Sequence, residues 1–398
     1  MAEHSVIDTR EGYLSAVERI AAGEGPIAVD AERASGFKYS QRAYLIQVFR
    51  RGSGTFLFDP PAVGRFDELN EAIHDDEWVL HAATQDLTCL REVGLDPSIV
   101  FDTELAARLL GMPRVGLGTV VEELLGIHLA KEHSAADWST RPLPEPWLTY
   151  AALDVELLPD LRDAIAALLE EAGKLEIARQ EFADELVRDL VPVRAEPWRR
   201  LSGIHSIRGL RNLAVARELW LSRDALAREL DTAPGRLVPD ASLTAAAKAM
   251  PDSKRALAAM REFTGRASRT ELDRWWAAIE AGRTTDDLPV LRGTGDSLPP
   301  PRAWADRNPD ADARLKAART ALTAVSEERA IPLENLLTPD TLRRVAWAPP
   351  AEITPQSVGE ALAAHGARPW QVDATAQVIA QAFVEGPQNA DDGSEPVS

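Results

Sequence analysis

Cysteine is almost missing: Cys89 is the one thiol in 398 residues, which excludes an intramolecular disulfide and any metal site built from several cysteines. Long apolar runs are missing as well. No stretch reaches the roughly 20 residues that a membrane helix requires, so no membrane partner is expected. The opening segment MAEHSVIDTREGY is acidic and has no apolar signal core, so secretion is not expected and the cytoplasm is the expected location. Positive charge is scarce, with 44 Lys/Arg against 63 Asp/Glu and a net charge of −19. At first sight that argues against a phosphate-rich partner, because phosphate binding rests on Lys and Arg.

What is present is a globular composition, 45% hydrophobic and 27% charged, in a chain long enough for two or three domains that each bury a core. The charge is unevenly spread. Residues 1–195 hold 18 Lys/Arg against 35 Asp/Glu and residues 284–398 hold 10 against 17, but residues 196–283 hold 16 against 11. A basic module between two acidic ones fits either contact with a polyanion or a solvated helical surface with an excess of Arg.

The pattern of elements changes with the charge. IAVDAERA (27–34), YLIQVFR (44–50), TFLFD (55–59) and WVLHA (78–82) are short, β-branched or aromatic, and bounded by turn residues, which predicts strands. QDLTCLREVG, ELAARLLG and LGTVVEELLG predict helices closed by glycine, and PEPWLTYAALDVELL a longer helix with Pro146 in its first turn. Strands followed by alternating helices and strands predict an α/β domain, a mixed sheet flanked by helices, over residues 1–195. From Trp198 onward only helical periodicity remains, predicting one all-α bundle over 196–285 and a second over 304–385. The Pro/Gly-rich stretch 286–303 reads as their linker, and 386–398 as a disordered tail.

Within IAVDAERASG, strand alternation puts Asp30 and Glu32 on one face with Ala28, and Ile27, Val29 and Ala31 on the other. Two carboxylates about 4 Å apart repel by roughly 4 kcal/mol at an effective dielectric near 20. A bound proton, a divalent cation or exposure to water must relieve that repulsion. Asp86, in HAATQDLTCL, falls at a strand end and helix start, fitting either a site at the strand edge or a helix N-terminal charge. Tyr150 and Asp154, in YAALD, stand four apart and share a helix face. No one of these patterns is specific by itself; their order within one α/β domain is.

The ordered set Asp30, Glu32, Asp86, Tyr150 and Asp154 resembles the DEDD exonuclease superfamily, in its tyrosine-bearing branch with a ribonuclease-H-like fold. More narrowly, LHAATQDLTCL, KEHSAADWSTRPL and YAALDVELL resemble ribonuclease D. The middle region, with LRNLAVARELWLSRDALARELDTAPGRLVPDASL, resembles the HRDC module that follows the nuclease in that family, and the third region looks like a divergent second copy. The family commonly reads D-T-E-F in its first motif, whereas this chain reads D-A-E-R, which places contacts to the terminal nucleotide around Arg33 to Phe37 in question.

The resemblance implies a metal-dependent 3′→5′ exoribonuclease that trims RNA to 5′-mononucleotides, in tRNA 3′ processing or RNA turnover. RNA, such as tRNA precursors or other structured 3′ ends, is its expected partner, and a monomer its expected state. It further implies two divalent cations, Mg²⁺ or Mn²⁺, the hard ions that an all-carboxylate site suits. Asp30 would bridge both, Glu32 and Asp154 would complete the first, and Asp86 would serve the second. Tyr150 would orient the attacking water. In the loop after the third helix, Lys131, Trp138 and Arg141 either hold phosphate and stack a base or form a structural Trp with solvated cations. His81 reads as packed, His133 as neutral evidence, Gln47 as a partner of sheet backbone and Cys89 as a small buried hydrophobe. Two rival functions stand beside this one: a DNA exonuclease with the same carboxylates, and a non-catalytic scaffold that binds RNA ends.

Overall fold

The computed structural model describes residues 4–129, 135–188, 195–291 and 298–386. Six strands form one mixed sheet: β1 (Val6–Ile7), β2 (Glu24–Arg33), β3 (Ala43–Arg51), β4 (Gly54–Phe58), β5 (Glu77–Leu80) and β6 (Ile99–Asp102). Their spatial order is β1-β4-β3-β2-β5-β6. The strands β2, β3 and β4 make an antiparallel meander, while β5 pairs parallel to β2, β6 parallel to β5 and β1 parallel to β4. This is the expected mixed α/β sheet, with β1 and β6 added to the four strands the pattern predicts. Both additions are short edge strands, of two and four residues, too brief to show alternation.

The alternation along β2 sorts its residues as its sequence predicts. Ile27, Val29 and Ala31 pack into a core with Tyr13 and Ile20 of the helix Arg10–Ala21, while Ala28 packs on the opposite face with Val155 and Leu158. That second face is covered by the helices Glu145–Glu156 and Leu158–Glu171. Asp30 and Glu32 therefore lie under the edge of a helix, half-buried.

Beyond the sheet domain, all described elements are helical. The helix Leu210–Glu229 packs along Leu272–Thr284, and Gly282 lies so close to Val215 that an added Cβ would be 2.5 Å from its Cα. Their bundle has its own core around Trp198, Leu219 and Trp275. The segment SKRALAAMREF is helical only over Lys254–Ala258, because the chain turns to bring Phe263 into that core. Trp275 is fully buried and Trp276 half-buried against the same core. The third region, whose long helices are Pro309–Arg329 and Pro369–Glu385, has no separate core. Leu315, Leu322 and Ile379 share one continuous apolar cluster with Phe101, Ile165 and Phe182 of the sheet domain.

Candidate active site

The carboxylates are brought together by three local rules. Alternation on β2 supplies Asp30 and Glu32. The helix Glu145–Glu156 buries Leu148, Ala151, Ala152 and Val155 against the sheet at i, i+3, i+4, i+7 spacing, which leaves Tyr150 and Asp154 on its flank facing β2. The third rule concerns the turn after β5. Asp102, at the end of β6, accepts hydrogen bonds from the N–H groups of Ala82 and Ala83 at 3.0 and 2.6 Å, and from Glu104 and Leu105 at 2.8 and 3.0 Å. One buried carboxylate thus caps the next helix and fixes the turn Ala83–Gln85, which leads directly into Asp86.

Carboxylate oxygens of Asp30, Glu32 and Asp154 lie within 4.8 Å of one another. With Asp86 and Tyr150 they line a cavity of about 530 Å³. Asp86 is 6% exposed and begins the helix Leu87–Glu92 without a capping hydrogen bond from its side chain. Its carboxylate is thus not consumed by the helix end. Burial raises all four acids above their ordinary values, and repulsion by neighbouring acids adds to it at Glu32, Asp86 and Asp154. Glu32 is pushed up to about 10, by burial first and then by Asp30, Asp154 and Asp86. Asp154 is pushed up to about 8, by burial and by Asp30. Asp30 and Asp86 are raised by burial as well, Asp86 also by Asp30. The Tyr150 hydroxyl hydrogen-bonds Asp154, and burial beside these anions lifts its phenol far above the ordinary value. Hard oxygen donors that converge at this spacing, and that repel when ionised, fit divalent cations such as Mg²⁺ or Mn²⁺.

Other expected contacts are corrected. Trp138 is fully buried, its ring 5.1 Å from that of Trp147, so no base can stack on it. Arg141 donates to Asp59 at 2.6 Å and to the carbonyls of Tyr44, Trp138 and Thr140. Four of its five N–H donors are thus spent on holding the loop to the sheet. Lys131 and His133 lie outside the described residues. Gln47, opposite Asp30 on β3, is fully buried, but its amide has no hydrogen-bond partner among the described residues, contrary to the expected bonding to sheet backbone. His81 is a packed residue, held through Nδ1 by Thr103 at 2.9 Å. Cys89 is buried and its thiol is pushed up to about 12, mainly by burial, which makes it inert at neutral pH. Gln85, a pocket residue passed over in the sequence, was signalled only by its place next to Asp86 in the turn.

The sheet, the covering helix and the acidic pocket define a 3′→5′ exonuclease domain, and residues 5–170 match the family model described as 3′-5′ exonuclease. Residues 212–279 match the HRDC domain, and residues 297–383 a 3′ to 5′ exonuclease C-terminal domain. The chain belongs to the ribonuclease D family of 3′→5′ exoribonucleases. It is 31% identical over 280 residues to ribonuclease D of Granulibacter bethesdensis, an alignment covering 67% of each chain. Among solved structures, a protein from Bifidobacterium adolescentis superposes with a TM-score of 0.87 at 36% identity, covering 96% of this chain and 97% of that one. Escherichia coli RNase D, described as an exoribonuclease involved in structured RNA processing, superposes with a TM-score of 0.71 at 26% identity, covering 97% and 100%. The family to which they lead is divalent-metal dependent. Among the described residues no helix is long and apolar enough to cross a membrane.

Proposed function

We propose that this chain removes 5′-mononucleotides from the 3′ end of RNA, with two divalent cations, Mg²⁺ or Mn²⁺, held by Asp30, Glu32, Asp86 and Asp154. The observation that carries the proposal is the convergence of the Asp30, Glu32 and Asp154 oxygens within 4.8 Å, in the same pocket as Asp86 and Tyr150. By the family resemblance Asp30 would help to hold both cations, with Glu32 and Asp154 at one and Asp86 at the other. Asp30 lies close enough to Glu32, Asp86 and Asp154 that its charge raises all three.

Cations held by Asp30, Glu32, Asp86 and Asp154 would supply water activation and would offset charge on the phosphate and on the leaving 3′-oxygen. The residues do the rest. Tyr150 keeps its proton at neutral pH, because its phenol is raised by burial and by Asp154. Tyr150 would orient the attacking water through its hydroxyl, and its acting as the base is not required, since a bound cation can lower the water's pKa enough. Structured RNA 3′ ends, such as tRNA precursors, are the proposed substrates, supported by family membership and by the description of the Escherichia coli relative. We assign the nuclease to residues 1–195, the HRDC module to 196–285, the linker to 286–303, a second HRDC-like bundle to 304–385 and the tail to 386–398.

The test is a 5′-labelled RNA incubated with Mg²⁺ or Mn²⁺, beside a DNA of the same sequence. Stepwise shortening of the RNA from its 3′ end, absent in Asp30→Asn, is the expected result. Faster shortening of the DNA would move the assignment to a DNA exonuclease. Failure of the wild-type chain to shorten several RNAs with both metals would leave a scaffold that binds RNA ends.

A further inference from the structure

The acidic pocket must admit a polyanion, and among the described residues lining it one side chain is permanently cationic. That residue is Arg33, the last of β2. Its Nη2 lies 3.7 Å from an Asp86 oxygen, an ion pair too long for a hydrogen bond, with the Arg33 side chain 26% exposed. Arg141 uses its donors on Asp59 and three carbonyls. Arg33, by contrast, makes no side-chain hydrogen bond among the described residues.

The backbone beneath Arg33 is firmly placed. The β2–β3 register slips by one residue between Glu32 and Arg33, where Tyr44 is the extra residue on β3. Such a bulge raises local twist and re-aims the side chains beside it. Here it lets Arg33 line the same pocket as its neighbour Glu32. Ala34 is fully buried, and its carbonyl accepts from Phe37 N–H and Lys38 N–H at 3.0 and 2.9 Å, closing a tight turn. A guanidinium on a fixed backbone, with free donors, Asp86 at 3.7 Å and Asp30 and Glu32 within electrostatic range, is preorganised for a phosphate, whose oxygens match its planar fork.

We propose that Arg33 is a substrate-binding residue that exchanges partners: it neutralises Asp86 in the empty site and passes to a phosphate oxygen near the RNA 3′ end when Asp86 takes up a cation. This rests on the exonuclease reading and adds to it a specific anchor for the strand. The balance of charge favours the exchange, because a cation at Asp86 repels Arg33 just as the incoming phosphate attracts it.

The test compares wild type, Arg33→Gln and Arg33→Lys on a single-stranded RNA. Arg33→Gln is expected to raise KM about tenfold to a hundredfold, more than it lowers kcat, with Arg33→Lys between the two. The slope of log(kcat/KM) against log salt should fall by about 0.7, the loss of one phosphate contact on a single strand. Mn²⁺ affinity by calorimetry should not weaken, since removing a cation favours metal binding. An unchanged KM and salt slope would overturn the proposal and leave Arg33 as a mere counter-ion of Asp86. A wild-type chain that shortens no RNA would defeat the exonuclease reading instead. Fluorescence anisotropy with labelled RNA would then still decide Arg33, because equal affinity of wild type and Arg33→Gln overturns its role.

Discussion

The guanidinium of Arg236 lies over the ring of Phe37, 4.0 Å from its centroid, and its Nε donates to the Gly36 carbonyl at 2.6 Å. Arg236 belongs to the HRDC module, and Phe37 to the segment that leaves the D-x-E strand. The grip extends along that segment. Asp231 accepts from Ser40 N–H and Tyr44 hydroxyl at 2.9 and 3.3 Å, Tyr39 donates to Asp224 at 3.0 Å, and Ala233 N–H donates to the Phe37 carbonyl at 3.0 Å. The module is thus bonded to the rim of the active site as well as tethered in sequence.

Arg236→Ala removes one stacking and one charge-assisted contact, each worth about 1 kcal/mol at an exposed position. Amides of residues 36–44 are therefore expected to exchange with solvent roughly tenfold faster in Arg236→Ala, while those of β5 hold their rates. Hydrogen-exchange mass spectrometry reads both. Equal rates at residues 36–44 would show that the segment is held without Arg236, by the sheet domain and by the bonds to Asp224, Asp231 and Ala233.

Metal binding and pH are linked through the raised acids. Asp154 and Glu32 have ordinary values of 3.8 and 4.5 and are pushed in the fold to about 8 and about 10. A carboxyl raised in the folded state binds more protons there than in the unfolded chain, so stability falls as pH rises from the unfolded value through the folded one. The metal-free protein should lose melting temperature between pH 5 and pH 8. Mn²⁺ should restore more of it at pH 8 than at pH 5, because it displaces the protons and relieves the repulsion. Glu32→Gln should flatten both trends. Thermal melts with and without Mn²⁺ give the answer, and a Mn²⁺ shift that is larger at pH 5 would contradict the linkage.

These carboxylates were legible in the sequence because a local rule places each one. Strand alternation pairs Asp30 with Glu32, helix spacing pairs Tyr150 with Asp154, and a strand-turn-helix pattern ends at Asp86. The contacts that escaped have no local rule. Arg141 is consumed by Asp59, 82 residues away, and Arg236 reaches Gly36 across 200. Trp138 is hidden by Leu45 and Leu57 of the sheet, which share its apolar cluster. A Trp and an Arg in a loop have the same composition whether they face a substrate or a core, and only tertiary packing separates the two. The same limit hid the third region's attachment, because each of its helices is amphipathic whatever it packs against.

That attachment is centred on a buried ion pair. Arg368, at the start of the helix Pro369–Glu385, donates through Nε and Nη2 to the two oxygens of Glu181 at 2.6 Å each, and the Trp370 indole N–H donates to the same carboxylate at 2.7 Å. The side chains of Arg368 and Glu181 are 13% and 6% exposed. Removing one partner of such a pair strands a buried charge, which costs about 3–5 kcal/mol, whereas neutralising both members is often tolerated. Arg368→Met is therefore expected to destabilise the chain by about that amount in urea unfolding, and to expose the third region to limited proteolysis. Adding Glu181→Gln should recover most of the loss, since the amide oxygen still accepts from Trp370 and no charge is left buried. A single variant that costs less than about 1 kcal/mol would mean that the shared apolar cluster around Leu322, Ile379 and Phe182 holds the third region without the ion pair.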